Sequence, residues 1–135
     1  MLREPEPNLP PGATPRLVTL GSARWARLCD QLGLMPQDPA RERYPDIARA
    51  YAEPQRHYHT AQHISECLTW FDRVAPQLRD APLVELALWL HDLVYDARRH
   101  DNEAQSARLA GGWMAGLGRA RTAQLVRYIE ATRHH

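Results

Sequence analysis

From Ser22 onward the apolar residues of this chain recur at three- and four-residue intervals, and nowhere do they alternate over a useful length. That spacing lines one face of a helix, whereas a half-buried strand needs a period of two. Trp25, Leu28, Cys29 and Leu32 open the series, and Gly33 closes it. Tyr44, Ile47, Ala48 and Tyr51 repeat it within 39–52, with Pro45 suited to a first turn and Pro54 as a stop. A third helix is predicted over 60–74, capped by Thr60, with His63, Ile64, Cys67, Leu68 and Phe71 on one face. A fourth is predicted over 81–95, its stripe formed by Leu83, Leu86, Ala87, Leu90, His91 and Val94. A fifth over 102–115 starts from a cap at Asp101 or Asn102, and a sixth covers 120–132. The fold class that follows is all-α, a compact bundle of about six helices.

The first 15 residues hold five prolines and no apolar periodicity. Residues 1–20 therefore read as a Pro-rich flexible leader, and 21–135 as a single helical domain. An apolar fraction of 44% suits one modest core, and a net charge of +1 gives no electrostatic case for a nucleic-acid duplex or a membrane surface. Cys29 and Cys67 sit among apolar helical neighbours and no CxxC occurs, so both read as buried free thiols in a reducing compartment. With neither a signal-peptide pattern nor an apolar stretch of about 18 residues, the expected location is cytoplasmic.

Metal-competent side chains interrupt the apolar faces at a few places. In Arg56-His57-Tyr58-His59-Thr60-Ala61-Gln62-His63 the histidines His59 and His63 are four apart, and His63 shares the inward stripe of Ile64, Cys67 and Phe71. In Leu88-Trp89-Leu90-His91-Asp92 a His-Asp pair lies in the most apolar helix of the chain. A carboxylate buried there needs a cation or several donors, and a divalent ion supplies that need directly. Helical bundles build metal sites from facing helices in this way, here with His63 from the third and His91-Asp92 from the fourth. Imidazole with carboxylate suits Mn, Fe, Zn, Co or Ni, with Mg less favoured. Alone, each signal has a plainer reading: a lone helical histidine is usually a satisfied core residue, and Asp101-Asn102-Glu103 is a good helix start.

Taken in order, these strings resemble the HD superfamily, named for metal ligands in the order H…HD…D. More closely, the chain resembles a bacterial group of predicted metal-dependent HD-type phosphohydrolases. The matching strings are Tyr44-Pro45, Arg56-His57-Tyr58-His59-Thr60 with His63-Ile64, Leu88-Trp89-Leu90-His91-Asp92 with Tyr95-Asp96, Asn102-Glu103 with Ser106, and Ala131-Thr132 with His135. They span about residues 22–135. The resemblance implies an HD-domain-like bundle holding one or two divalent ions through His63, His91 and Asp92, with His135 serving a second ion or the substrate. A looser likeness of Tyr58-His59-x-x-x-His63 to an element of cyclic-nucleotide phosphodiesterases implies that His59 protonates the leaving oxygen; Thr60 stands where that element has asparagine. The family's last ligand is an aspartate beyond the T-x-x-H element, which here ends the sequence at His135, so the resemblance implies a chain truncated before that carboxylate.

The activity implied is hydrolysis of a phosphate ester, a nucleotide or another small one, through water activated by the ion. In that reading Arg56 clamps phosphate with its planar fork. Asp96 and Glu103 orient the histidines. Two alternatives stay open: the same ligands would serve a di-iron oxygenase, and a chain lacking the last ligand could be an inactive helical remnant or binding module. The oligomeric state is not set by the sequence.

Overall fold

The computed structural model describes residues 19–132, and among them six α-helices and no strand. These are α1 (Ser22–Gln31), α2 (Tyr44–Tyr51), α3 (Ala61–Val74), α4 (Ala81–Leu90), α5 (Asn102–Trp113) and α6 (Arg119–Glu130). Short 3₁₀ turns cover Pro39–Glu42, Ala75–Gln77 and Ala115–Leu117. The all-α bundle expected from the periodicity is the observed architecture. The Pro-rich leader up to residue 18, and His134 and His135, lie outside the described residues.

Local chemistry sets the ends of α1. Gly33 takes φ +74°, a left-handed conformation that glycine adopts without steric cost. This lets Leu34 N–H reach the Cys29 carbonyl and Gly33 N–H reach that of Asp30, at 3.2 and 3.0 Å. Two orphan carbonyls are thereby satisfied and the chain reverses. Segment 39–52 is not one helix: Asp38 caps a 3₁₀ turn through Ala40 N–H, and α2 starts only at Tyr44, with Pro45 in its first turn.

Helix α4 is apolar on nearly every face, and most of it is buried, with Val84 and Leu88 partly exposed. It packs against α1, α3, α5 and α6. Its one buried acid, Glu85, accepts from Arg24 Nε at 2.9 Å and from Trp89 Nε1 at 3.1 Å. Arg24 also forks onto both oxygens of Asp72, so a single guanidinium ties α1 to α3 and α4. Trp25 meets Trp89 edge-on at 5.2 Å between centroids. No helix among the described residues is long and apolar enough to cross a membrane.

Helix α4 ends at Leu90, five residues short of the predicted Tyr95, and His91 is its C-cap. Side chains occupy the last-turn carbonyls, His91 Nδ1–H donating to that of Leu88 at 2.8 Å and the Tyr51 hydroxyl to that of Trp89 at 2.6 Å, and a further side chain serves the carbonyls just beyond. Arg56 donates to the Asp92 and Leu93 carbonyls at 2.6 and 2.7 Å.

Candidate metal centre

The first turns of α3 and the frayed end of α4 meet, and three imidazoles converge there on one carboxylate oxygen. Asp92 Oδ2 accepts from His59 Nδ1 at 2.9 Å and lies 3.3 Å from His91 Nε2 and 3.7 Å from His63 Nε2. The His91 and Asp92 side chains are nearly buried, at 8% and 9% exposure, whereas His59 and His63 open to solvent at 29% and 38%. The centre is a pit with a dry floor and a wet rim.

Each group is oriented by a neighbour. His91 Nδ1–H donates to the Leu88 carbonyl at 2.8 Å, which leaves Nε2 facing Asp92. In a neutral His91 that nitrogen turns a lone pair toward a carboxylate oxygen, an arrangement relieved only by a cation between them, a proton or a metal ion. His63 carries the same problem. Burial above all holds its imidazole below the ordinary range, against the pull of Asp92 and with His91 and His59 adding to the depression. A neutral His63 can turn the Nε2 lone pair to an ion, with its proton on Nδ1. The donor set therefore fits a divalent transition metal: two imidazole nitrogens with free lone pairs and one buried carboxylate.

A further donor stands at the same place. Cys67, one turn after His63 on α3, puts Sγ 3.7 Å from His63 Nε2, and the ligand atoms of His63, Cys67 and His91 all lie within 4.8 Å of one another. Burial pushes the Cys67 thiol up, with Asp92 and Glu66 adding to it. Sequence reasoning treats Cys67 as core packing. The signal that could have found it is its i+4 spacing from His63, the same spacing that pairs His59 with His63.

The other expected site residues divide. His59 is in the cluster, its ring stacked on Tyr95 at 4.1 Å. Tyr95, named in a matching string but given no role there, is a second member. Arg56 is adjacent but does not match the expected phosphate clamp. Its side chain has no exposure, and it donates to the carbonyls of His59, Asp92 and Leu93 and to Glu53. The physical reason is the end of α4, whose carbonyls need donors in a buried setting. Asp96 does not orient a histidine either. Its carboxylate pairs with Arg98 at the surface, which holds it below the usual carboxylate range. Glu103 lies half-buried in the first turn of α5, and no hydrogen bond or ion pair among the described residues joins it to the histidines. Its neighbour Asn102 instead bonds the Asp96 backbone in both directions, and Ser106 does the same for Val94. These bonds fix the loop that leaves the site. His135 lies outside the described residues.

No family model, curated protein or solved structure matches the chain.

Proposed function

We propose that the chain is a metal-dependent phosphohydrolase of HD type, acting on a nucleotide or another small phosphate ester. The observation that carries the reading is the meeting of His63, His91 and Asp92 in one pit, with His59 hydrogen-bonded to the same carboxylate. His63, His91 and Asp92 would hold the ion, which when bound activates water and polarises a phosphoryl oxygen.

The chain's own residues supply the rest. Asp92 fixes the His59 tautomer by accepting from Nδ1, and stacking on Tyr95 fixes the ring plane. As the imidazolium, with both nitrogens protonated, His59 keeps Nδ1–H on Asp92, gives the Nε2 proton to the leaving oxygen and is left neutral. Arg56 acts through the backbone: by binding the carbonyls of His59, Asp92 and Leu93 it holds the proton donor and the carboxylate in register. It is a positioning residue.

The test is metal content and phosphodiester turnover of the full chain, with Mn, Co or Zn and bis(4-nitrophenyl) phosphate or a nucleotide panel. The wild type should retain metal, and His91→Ala/Asp92→Ala should lose it. His59→Ala should keep the metal while turnover falls about 10²- to 10⁴-fold, the range for loss of a positioned proton donor. A chain that binds metal and turns over no ester would refute hydrolysis and leave a binding module.

A further inference from the structure

We infer that Cys67 is a metal ligand, and that its thiolate makes the His63–Cys67–His91 cluster a zinc site. The inference deepens the metal-centre reading and rests on it. Zinc holds imidazole nitrogen at about 2.0–2.1 Å and thiolate at about 2.3 Å. A tetrahedron with those bonds has N–S edges of about 3.6 Å and edges between nitrogen and oxygen of about 3.4 Å. The His63 Nε2 to Cys67 Sγ edge has that size, 3.7 Å, and the edges to His91 lie within 4.8 Å, close enough for a small inward shift to close them on an ion; Asp92 Oδ2 stands 3.7 Å from His63 Nε2 and 3.3 Å from His91 Nε2.

The donors come from rigid elements. His63 and Cys67 are one turn apart on α3, and His91 is anchored at the end of α4 by its bond to Leu88. The three are mutually close within 4.8 Å. Asp92 reaches both histidines but is also held by His59, so it takes the fourth position or yields it to solvent. A catalytic zinc needs a position of this kind.

Thiolate is a soft donor. It selects zinc and its cobalt surrogate and disfavours Mg, Ca and Mn, which prefer an all-oxygen shell. Without metal, the thiol lies 3.7 Å from His63 Nε2. When the ion binds, the S–H bond breaks, the proton leaves to solvent and sulfur bonds the metal.

The experiment is a Co²⁺ titration of the full metal-free chain, read by absorption, with bound cobalt counted by elemental analysis after gel filtration. The expected result is a sulfur-to-cobalt charge-transfer band in the near ultraviolet that grows with bound metal. In Cys67→Ser, which keeps Cys29, the band should vanish, and zinc affinity by chelator competition should fall by at least about 100-fold, the upper range for loss of a mere supporting contact. Bound cobalt without the band, or a band retained in Cys67→Ser, overturns the role of Cys67 and leaves the histidine–aspartate site standing. No bound cobalt overturns both. Should Cys67→Ser fail to fold, thiol labelling of the wild type decides. Zinc must protect Cys67 from alkylation, read by mass on its own peptide, and labelling unchanged by zinc refutes the inference.

Discussion

Replacing Arg56 tests the claim that one guanidinium holds the centre together. Its side chain is wholly shielded from solvent and serves three carbonyl oxygens, at 2.9 Å to His59, 2.6 Å to Asp92 and 2.7 Å to Leu93. It also lies over the Tyr51 ring at 5.1 Å. A hydrogen bond to a charged group contributes about 1.5–3 kcal/mol, and an acceptor left buried without its donor loses about 1–3 kcal/mol. Three such losses cannot all be realised, because the 52–60 loop will move and admit water to some of the carbonyls. Arg56→Ala should therefore cost about 3–5 kcal/mol, a large part of the roughly 5–15 kcal/mol that holds a domain of this size folded. Arg56→Lys keeps the charge but replaces a planar fork with a single ammonium, and should recover less than half of that loss. Urea unfolding of the three proteins, followed by helical circular dichroism, gives the values. A cost below about 1 kcal/mol for Arg56→Ala, too small for even one buried charged hydrogen bond, would refute the argument. So would Arg56→Lys as stable as the wild type, since the fork would then be unnecessary.

Three other outcomes follow from the structure. A Cβ on Gly116 would overlap Asp38 Oδ2, and Asp38 is the cap of Ala40 N–H, so Gly116→Ala should cost about 1 kcal/mol by evicting that cap. Urea unfolding reads the cost, and zinc affinity should not move. Burial pushes the Cys29 thiol from 9.0 up to about 11. Its folded pKa is thus raised, the folded chain holds a proton the unfolded chain has lost, and the associated stability is full below pH 9 and fades as pH rises toward 11. Melting curves of the wild type and Cys29→Ala across that window should show the wild type losing stability more steeply; parallel curves would refute the burial argument. The Asp80–Arg121 ion pair at the start of α4 is about one-third exposed at both ends. Arg121→Ala should therefore change stability by no more than about 1 kcal/mol, with metal binding intact.

The fold was legible because helical period is a local signal. Each of α1, α3, α4, α5 and α6 begins within about a residue of its predicted start, and α2 begins at Tyr44, next to Pro45, where a first turn is pre-formed. The end of α4 was not legible. Its apolar stripe runs on through Val94 in sequence, but Tyr51, 38 residues before Trp89, takes a last-turn carbonyl and Arg56, 36 residues before Asp92, holds the non-helical carbonyls that follow Leu90. The same long-range bonds explain Arg56 itself. Its residue type permits a phosphate clamp, and only the tertiary pocket assigns it to backbone. The convergence of His63, His91 and Asp92 could be anticipated from helix spacing. The thiol of Cys67 could not be separated from core packing until the orientation of α3 against α4 fixed which face it shares with His91.

The position of the centre follows from the burial of α4. A helix that is apolar on nearly every face must end inside the protein, and its last carbonyls then lack water. Two side chains serve this region: Tyr51, whose hydroxyl donates to the Trp89 carbonyl at 2.6 Å, and Arg56, at the Asp92 and Leu93 carbonyls just past the helix. Both come from the segment that leads into His59. The residues that close the core are therefore the ones that bring His59 to Asp92, and the residues that follow the closed helix end are His91 and Asp92 themselves. Stability and site geometry share the same bonds at this end of α4 and are separate at the other, where Asp80 and Arg121 pair at the surface. Damage at Arg56 or Tyr51 should loosen the fold and the proposed metal site together, whereas damage at Cys67 or His63, on the open rim, should fall first on metal binding.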